Sequence, residues 1–213
     1  DLHKAIRRQR QMCIRDRTMP HKQALFNYIS LIDESAAQVG AINTLVYTLE
    51  GYKGYNTDAI GLQMSLQKEE VKWQGKNVAI IGSGGAAYAT YVAVAKEARS
   101  VHIFNRTVSR SEALKKHMSQ YFDCPTFVYG EEEIPSETVD IVIQTTGLGM
   151  GALKEQVPRC TENVLKNAQV AVDLIYEPQE TLFLKMAKER GCKCINGFGM
   201  LFYQAVRAFE LMH

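Results

Sequence analysis

The chain has 213 residues, 46% of them hydrophobic and 23% charged, the composition of a globular protein able to bury one or two modest cores. The formal net charge is +2, and most of the positive excess lies in the first 17 residues, where Lys4, Arg7, Arg8, Arg10, Arg15 and Arg17 face only Asp1 and Asp16. The near-neutral remainder gives no electrostatic case for nucleic acid or an anionic membrane as a partner, and no apolar run approaches the ~20 residues of a membrane span.

Five cysteines (Cys13, Cys124, Cys160, Cys192, Cys194) at irregular spacing suggest neither a disulfide framework nor a four-ligand zinc site. The N-terminus is basic but lacks the apolar stretch of a secretory signal. These features lead to the expectation of a cytoplasmic protein with no metal.

Residues 21–39 read as one helix, with Ala24, Leu25, Tyr28, Ile29, Ile32, Ala36 and Val39 recurring at three and four and Gly40 closing it. AINTLVYT (41–48) is β-rich, EGYKGYN is a turn and a short strand or loop, and DAIGLQMSLQKEE reads as a helix with Asp58 at its N-cap or first turn. This block ends near Trp73. From residue 77 the rhythm changes, with the strand NVAIIG, a glycine-rich turn running into a helix, and the strand VHIFN. The helix SEALKKHMSQYF and the strands TFVYG, DIVIQTT and VAVDLIY follow. Near-continuous apolar strands alternating with amphipathic helices predict a parallel sheet covered on both faces. A helix (TLFLKMAKERG), a strand (CKCIN, better read as a buried strand than as half a metal site) and a last helix from about Met200 complete the chain.

The turn GSGGAA places Gly82, Gly84 and Ala87 in a G-x-G-x-x-A pattern between a strand and a helix, the setting of a dinucleotide-binding turn. Gly82 allows the tight turn, Gly84 lets backbone approach a pyrophosphate, and Ala87 allows close strand–helix packing, while the helix start offers N–H groups to the anion. At the end of the next strand, where an acidic residue would hydrogen-bond the ribose of NAD, the chain reads NRTVSR. Arg106 and Arg110 with Asn105 and Thr107 suit a 2′-phosphate, and a basic cluster at a helix N-terminus wants an anion, so NADP is favoured over NAD. The competing reading leaves both arginines as solvated surface residues.

Two further residues have the makings of a proton-transfer pair. Lys22 follows Pro20 in a predicted first helical turn, where the dipole lowers an amine's pKa, and Asp58 lies in YNTDAIG at another helix start. Beside a nicotinamide they could move the proton that accompanies hydride transfer to a ketone. On spacing alone, a solvated surface lysine and a helix cap are the better explanations, being far commoner than catalytic groups.

TMPHK (18–22), DESAAQVGAINTLV (33–46), GYNTDAIG (54–61), GSGGAA, NRT, DIVIQTTGLGM, VDLIYEPQET and NGFGMLFYQAVRAF, in that order, resemble the shikimate dehydrogenase family over residues 18–213. The resemblance implies a two-domain α/β enzyme that reduces 3-dehydroshikimate to shikimate with NADPH, in chorismate and aromatic amino acid biosynthesis. It implies a substrate domain over 18–73, a Rossmann-like doubly wound NADP-binding domain over 74–198, and a final helix (199–213) packing back on the substrate domain. Lys22 and Asp58 become the catalytic pair, and Thr18, Asn43 and Gln204 bind substrate. Gly82, Ser83, Gly84, Gly85, Ala86 and Ala87 take the pyrophosphate, while Asn105, Arg106, Thr107 and Arg110 take the adenosine phosphate. Thr145, Leu174, Tyr176, Gly197 and Met200 match positions near the nicotinamide or its ribose. The expected partners are a small-molecule substrate and, at most, a second copy of the chain, as a monomer or homodimer.

Two features depart from the family pattern. Gly147 stands where proline is common, a loop change of little expected chemical consequence. Family members also carry a preceding βαβ unit whose S-x-S segment holds the substrate carboxylate, whereas residues 1–17 here read as an unrelated sequence that truncates the substrate domain. Two other readings share the motifs: a quinate/shikimate dehydrogenase of broader substrate and cofactor choice, and a non-catalytic sensor, against which the joint presence of Lys22 and Asp58 argues.

Overall fold

The computed structural model describes residues 24–213, and its first segment departs from the single helix expected over 21–39. A 3-10 turn (Ala24–Asn27) leads to the strand β1 (Leu31–Ile32), and the helix α1 (Glu34–Val39) starts only after it. Asp33 is extended, with φ −71° and ψ 153°, and its carboxylate caps α1 by accepting the Ser35 N–H at 3.1 Å. The apolar spacing that suggested a helix is used by a small core instead, in which Leu25, Phe26, Ile29 and Ile32 pack on Ala36, Ile42 and Leu45. Gly40, left-handed at φ 70°, closes α1 as the sequence predicted.

β2 (Thr44–Thr48) and β3 (Gly51–Tyr55) pair antiparallel, and β1 joins the other edge of β3 in parallel, giving a three-stranded sheet of order β1-β3-β2. The chain then enters α2 (Asp58–Lys68).

The apolar strands β4 (Asn77–Ile81), β5 (Ser100–Phe104), β6 (Thr126–Tyr129), β7 (Ile141–Gln144), β8 (Val170–Asp173) and β9 (Lys193–Ile195) form a second sheet of order β6-β5-β4-β7-β8-β9. Every pairing in it is parallel. Between these strands run α3 (Gly85–Val94), α4 (Val108–Met118), α5 (Thr161–Leu165) and α6 (Leu182–Glu189), and α7 (Phe198–Met212) ends the chain. Alternate residues of each strand serve opposite faces. Val78, Ile80, Val101, Ile103, Ile141 and Ile143 pack with Leu62 and Leu66 of α2, Tyr91 and Val94 of α3, and Leu114 and Met118 of α4. Ala79, Ile81, Phe104, Val142 and Ala171 pack with Val164 and Leu165 of α5 and Phe183 and Leu184 of α6. This is the doubly covered parallel sheet that the strand pattern predicted, with its order reversing between β4 and β7.

The first of these cores does not stop at the large sheet. It takes in α2 together with Val39 and Ala41, while Ile32 and Leu45 of the small sheet belong to the separate cluster around Ala36 and Ile42. α7 crosses α2 closely: a Cβ at Gly61 would lie 2.7 Å from the Gln204 backbone nitrogen. Among the described residues no helix is long and apolar enough to cross a membrane.

Candidate active site

Asn43, just before β2, and Asp58, the first residue of α2, meet in a hydrogen bond from Asn43 Nδ2 to Asp58 Oδ1 at 2.9 Å. The orientation of the Asn43 amide follows from its other partners. Its Oδ1 accepts the Thr44 hydroxyl at 2.9 Å, the Thr57 N–H at 3.0 Å and the Thr57 hydroxyl at 3.3 Å, so the NH₂ group has to face the carboxylate. Asn56 Oδ1 accepts the Asp58 N–H at 2.9 Å, and Asn56 Nδ2 donates to the Ala41 carbonyl at 3.0 Å. Asp58 thus sits on a frame of buried amides, with its carboxylate at the helix end where the macrodipole favours negative charge.

Gln204 reaches the same frame from α7. Its Nε2 donates to the Leu201 carbonyl at 2.9 Å, and its Oε1 lies 3.4 Å from the Thr57 hydroxyl. Thr57, 1% exposed, therefore touches both the Asn43 and the Gln204 side chains.

At the reversal of strand order the glycine turn leaves β4. Gly82 has φ 109°, a left-handed conformation open to glycine, and a Cβ there would lie 2.6 Å from Thr145 Oγ1 at the end of β7. Thr145 donates its hydroxyl to the Ile81 carbonyl at 2.7 Å, which clamps the two strand ends together. A Cβ at Gly84 or Gly85 would meet nothing within 4 Å, so the start of α3, where a helix has N–H groups without intrahelical partners, is open to approach. Ala87 is fully buried beneath.

Asn105, Arg106 and Thr107 follow β5, and Arg110 lies in the first turn of α4. Asn105 Nδ2 donates to the Thr107 carbonyl at 2.9 Å. Arg106 and Arg110 are exposed and form no ion pair with any described residue. Leu174 and Gly197 stand backbone to backbone, since a Cβ at Gly197 would overlap the Leu174 carbonyl. Met200 is half-buried against the main core and Tyr176 is 50% exposed. Among the described residues no group of three or more His, Cys, Asp or Glu side chains is placed to hold a metal ion.

The family model for shikimate/quinate 5-dehydrogenase matches residues 64–178, more than half of the chain. The chain belongs to this dehydrogenase family. It is 40% identical over 195 residues to the shikimate dehydrogenase (NADP(+)) of Methanococcus maripaludis strain S2, a match covering 91% of this chain and 70% of that protein. A crystal structure of a shikimate dehydrogenase in complex with NADP+ superposes with a TM-score of 0.82 at 38% identity, covering 91% of this chain and 68% of the other. The quinate dehydrogenase of Corynebacterium glutamicum in complex with NAD superposes with a TM-score of 0.81 at 28% identity, covering 91% and 70%.

In this dehydrogenase chain the structure brings Asn43, Asp58 and Gln204 into one hydrogen-bonded group and gathers Gly82 to Ala87 with Thr145 at the strand-order reversal. Leu174 and Gly197 meet at the ends of β8 and β9, and Asn105 to Arg110 stand apart at the end of β5. Thr18, Lys22 and the whole of segment 1–17 lie outside the described residues. Sequence reasoning did not single out Asn56 and Thr57, although both lie inside the motif that carries Asp58. It also passed over Asp173, whose signal was a lone carboxylate at the end of the apolar strand VAVDLIY. Burial pushes the Asp173 carboxyl up to about 6, against hydrogen bonds from the Thr181 hydroxyl and the Ile175 N–H.

Proposed function

We propose that this chain is an NADP-dependent dehydrogenase that interconverts 3-dehydroshikimate and shikimate. The observation that carries the reading is the Asn43–Asp58 hydrogen bond tied through Thr57 to Gln204, on a helix that begins at the edge of a dinucleotide-type sheet. The open cradle at Gly84 and Gly85 fits a pyrophosphate, and Arg106 and Arg110, which form no ion pair among the described residues, fit a 2′-phosphate, which favours NADP.

Bound NADPH supplies the hydride. Reduction of the ring carbonyl to a hydroxyl would take that hydride at carbon and would need a proton at oxygen. Lys22 delivers the proton to the carbonyl oxygen, with Asp58 as its partner and Asn43 holding the Asp58 carboxylate in place. Asn43, Gln204 and Thr18 hydrogen-bond the substrate's hydroxyls. Residues 18–73 with α7 form the substrate side and 74–198 the cofactor side. The chain works as a monomer or homodimer in the cytoplasm, a reducing setting that fits its free thiols at Cys124, Cys160, Cys192 and Cys194.

The quinate reading is kept alive by the family model, whose description spans both substrates, and by the likeness to a quinate dehydrogenase. Steady-state assays of the full chain on shikimate and on quinate, each with NADP+ and NAD+, decide between them. Shikimate with NADP+ is expected to give the highest kcat/KM. Higher turnover on quinate would transfer the assignment, and no turnover with tight NADPH binding would point to a sensor.

A further inference from the structure

The carboxyl ends of β7 and β8 are joined by a buried polar pair outside the groups described above as binding ligand. Asp173 ends β8 and Gln144 ends β7; they are register partners, and both are fully buried. Gln144 Nε2 donates to the Leu148 carbonyl at 2.9 Å and to Asp173 Oδ1 at 3.5 Å, and its Oε1 accepts the Thr146 N–H. Asp173 Oδ1 also accepts the Ile175 N–H at 3.0 Å, and Oδ2 accepts the Thr181 hydroxyl at 2.6 Å. One carboxylate and one carboxamide thereby fasten both loops, 145–149 and 174–181.

The fastening extends to α7. The Leu174 N–H donates to the Gln144 carbonyl at 3.0 Å, and the Gly197 N–H donates to the Ile175 carbonyl at 3.0 Å. Gly197 is the N-cap of α7 and lies roughly two turns ahead of Gln204. An apolar residue at 173 would avoid the cost of burying a carboxylate, but it would strand the Ile175 N–H and the Thr181 hydroxyl without partners.

We infer that Asp173 and Gln144 are positioning residues for hydride transfer, holding the loops that carry Thr145, Leu174 and Tyr176, and the start of α7, in one arrangement. The inference rests on the proposed function, which puts the nicotinamide against these loops. A misplacement of about 1 Å at a reacting centre can cost ~100-fold in rate, so a rigid buried tie there has kinetic consequences.

Two variants of the full chain test it. Q144M keeps the volume and removes the carboxamide, D173A removes the carboxylate, and D173N serves as the conservative control because it retains an acceptor for the Ile175 N–H. In ligand-free protein, amide exchange is expected to quicken at least tenfold at Thr146 in Q144M and at Ile175 in D173A. With saturating NADPH, single-turnover reduction is expected to slow at least tenfold and the primary deuterium isotope effect to rise, with NADPH affinity within threefold of wild type. D173N should recover most of the rate. Unchanged exchange at both amides in folded variants overturns the inference, as does faster exchange with an unchanged single-turnover rate and isotope effect. If D173A fails to fold, Q144M decides alone. A wild type that reduces no 3-dehydroshikimate removes the functional reading and the hydride-transfer role with it, while the exchange data still decide whether the pair fastens the loops.

Discussion

Asn43 and Asp58 come from different elements, yet Asn43 Nδ2 donates to Asp58 Oδ1 at 2.9 Å because three donors saturate the other end of the Asn43 amide. The carboxylate is thus aimed by a side chain that cannot turn over without losing those bonds. If Asp58 assists the proton transfer, Asp58→Asn should lower kcat by ~10²–10⁴-fold, the usual worth of a positioned acid or base. Its NADPH dissociation constant, followed by fluorescence titration, should stay at the wild-type value.

Thr57 touches the amides of both Asn43 and Gln204 through one hydroxyl, and these are the proposed substrate ligands. Thr57→Val keeps the shape and removes that hydrogen, so KM for shikimate should rise about three- to tenfold, as expected for one net hydrogen bond. Thr57→Ser should restore it, and steady-state kinetics on the three proteins provide the check.

The exposed Arg106 and Arg110 lack ion-pair partners among the described residues. If they hold a 2′-phosphate, removing both should weaken NADPH binding by roughly 10–100-fold, the scale of charge-assisted hydrogen bonds, and leave NADH binding nearly unchanged. Calorimetric titration of both cofactors separates the two effects.

The crossing of α2 and α7 depends on the missing side chain at Gly61, where a Cβ would lie 2.7 Å from backbone. Gly61→Val should destabilise the fold by about 1–3 kcal/mol through overpacking and raise KM for shikimate by displacing Gln204. Urea unfolding and kinetics on one preparation test both outcomes.

Two buried groups should make stability depend on pH in opposite directions. The Ser100 hydroxyl donates to Asn77 Oδ1 at 2.9 Å, so it must accept from His102 Nε2 at 2.9 Å, leaving Nδ1 to accept from the Tyr129 hydroxyl at 3.3 Å. Burial lowers the pKa of this neutral imidazole below 6.5, so its contribution is present above pH 6.5 and is lost as pH falls through the folded value. Asp173 is raised from 3.8 to about 6, so its contribution is fully present below pH 3.8 and is lost as pH rises through about 6. Across that window the loss is about 3 kcal/mol, at ~1.4 kcal/mol per unit of pKa. Urea unfolding between pH 4 and 8 should show the loss on falling pH absent in His102→Gln and the loss as pH rises toward about 6 absent in Asp173→Asn.

The large sheet was legible in sequence because its strands are mostly apolar and buried at every position, the pattern of a doubly covered parallel sheet. The glycine turn was legible because it sits between a strand and a helix. The region before residue 40 was misread. Leu25, Ile29, Ile32 and Ala36 recur at helical spacing, but Leu31 and Ile32 pair with Lys53 and Gly54, and Asp33 starts a new helix. Sequence spacing could not register that pairing, because its partner lies some twenty residues away.

Local chemistry therefore determined the parallel sheet, the glycine turn between β4 and α3 and the residue types of the candidate site, since strand periodicity, glycine conformation and helix-start charge act over a few neighbouring residues. Tertiary structure decided the rest. The orientation of Asn43 toward Asp58, the reach of Gln204 to Thr57 and the burial of Asp173 beside Gln144 each join elements distant in sequence. Their partners exist only once α2, α7 and the strand ends pack together, because a hydrogen-bond donor is directed by the geometry of its acceptor and not by its place in the chain.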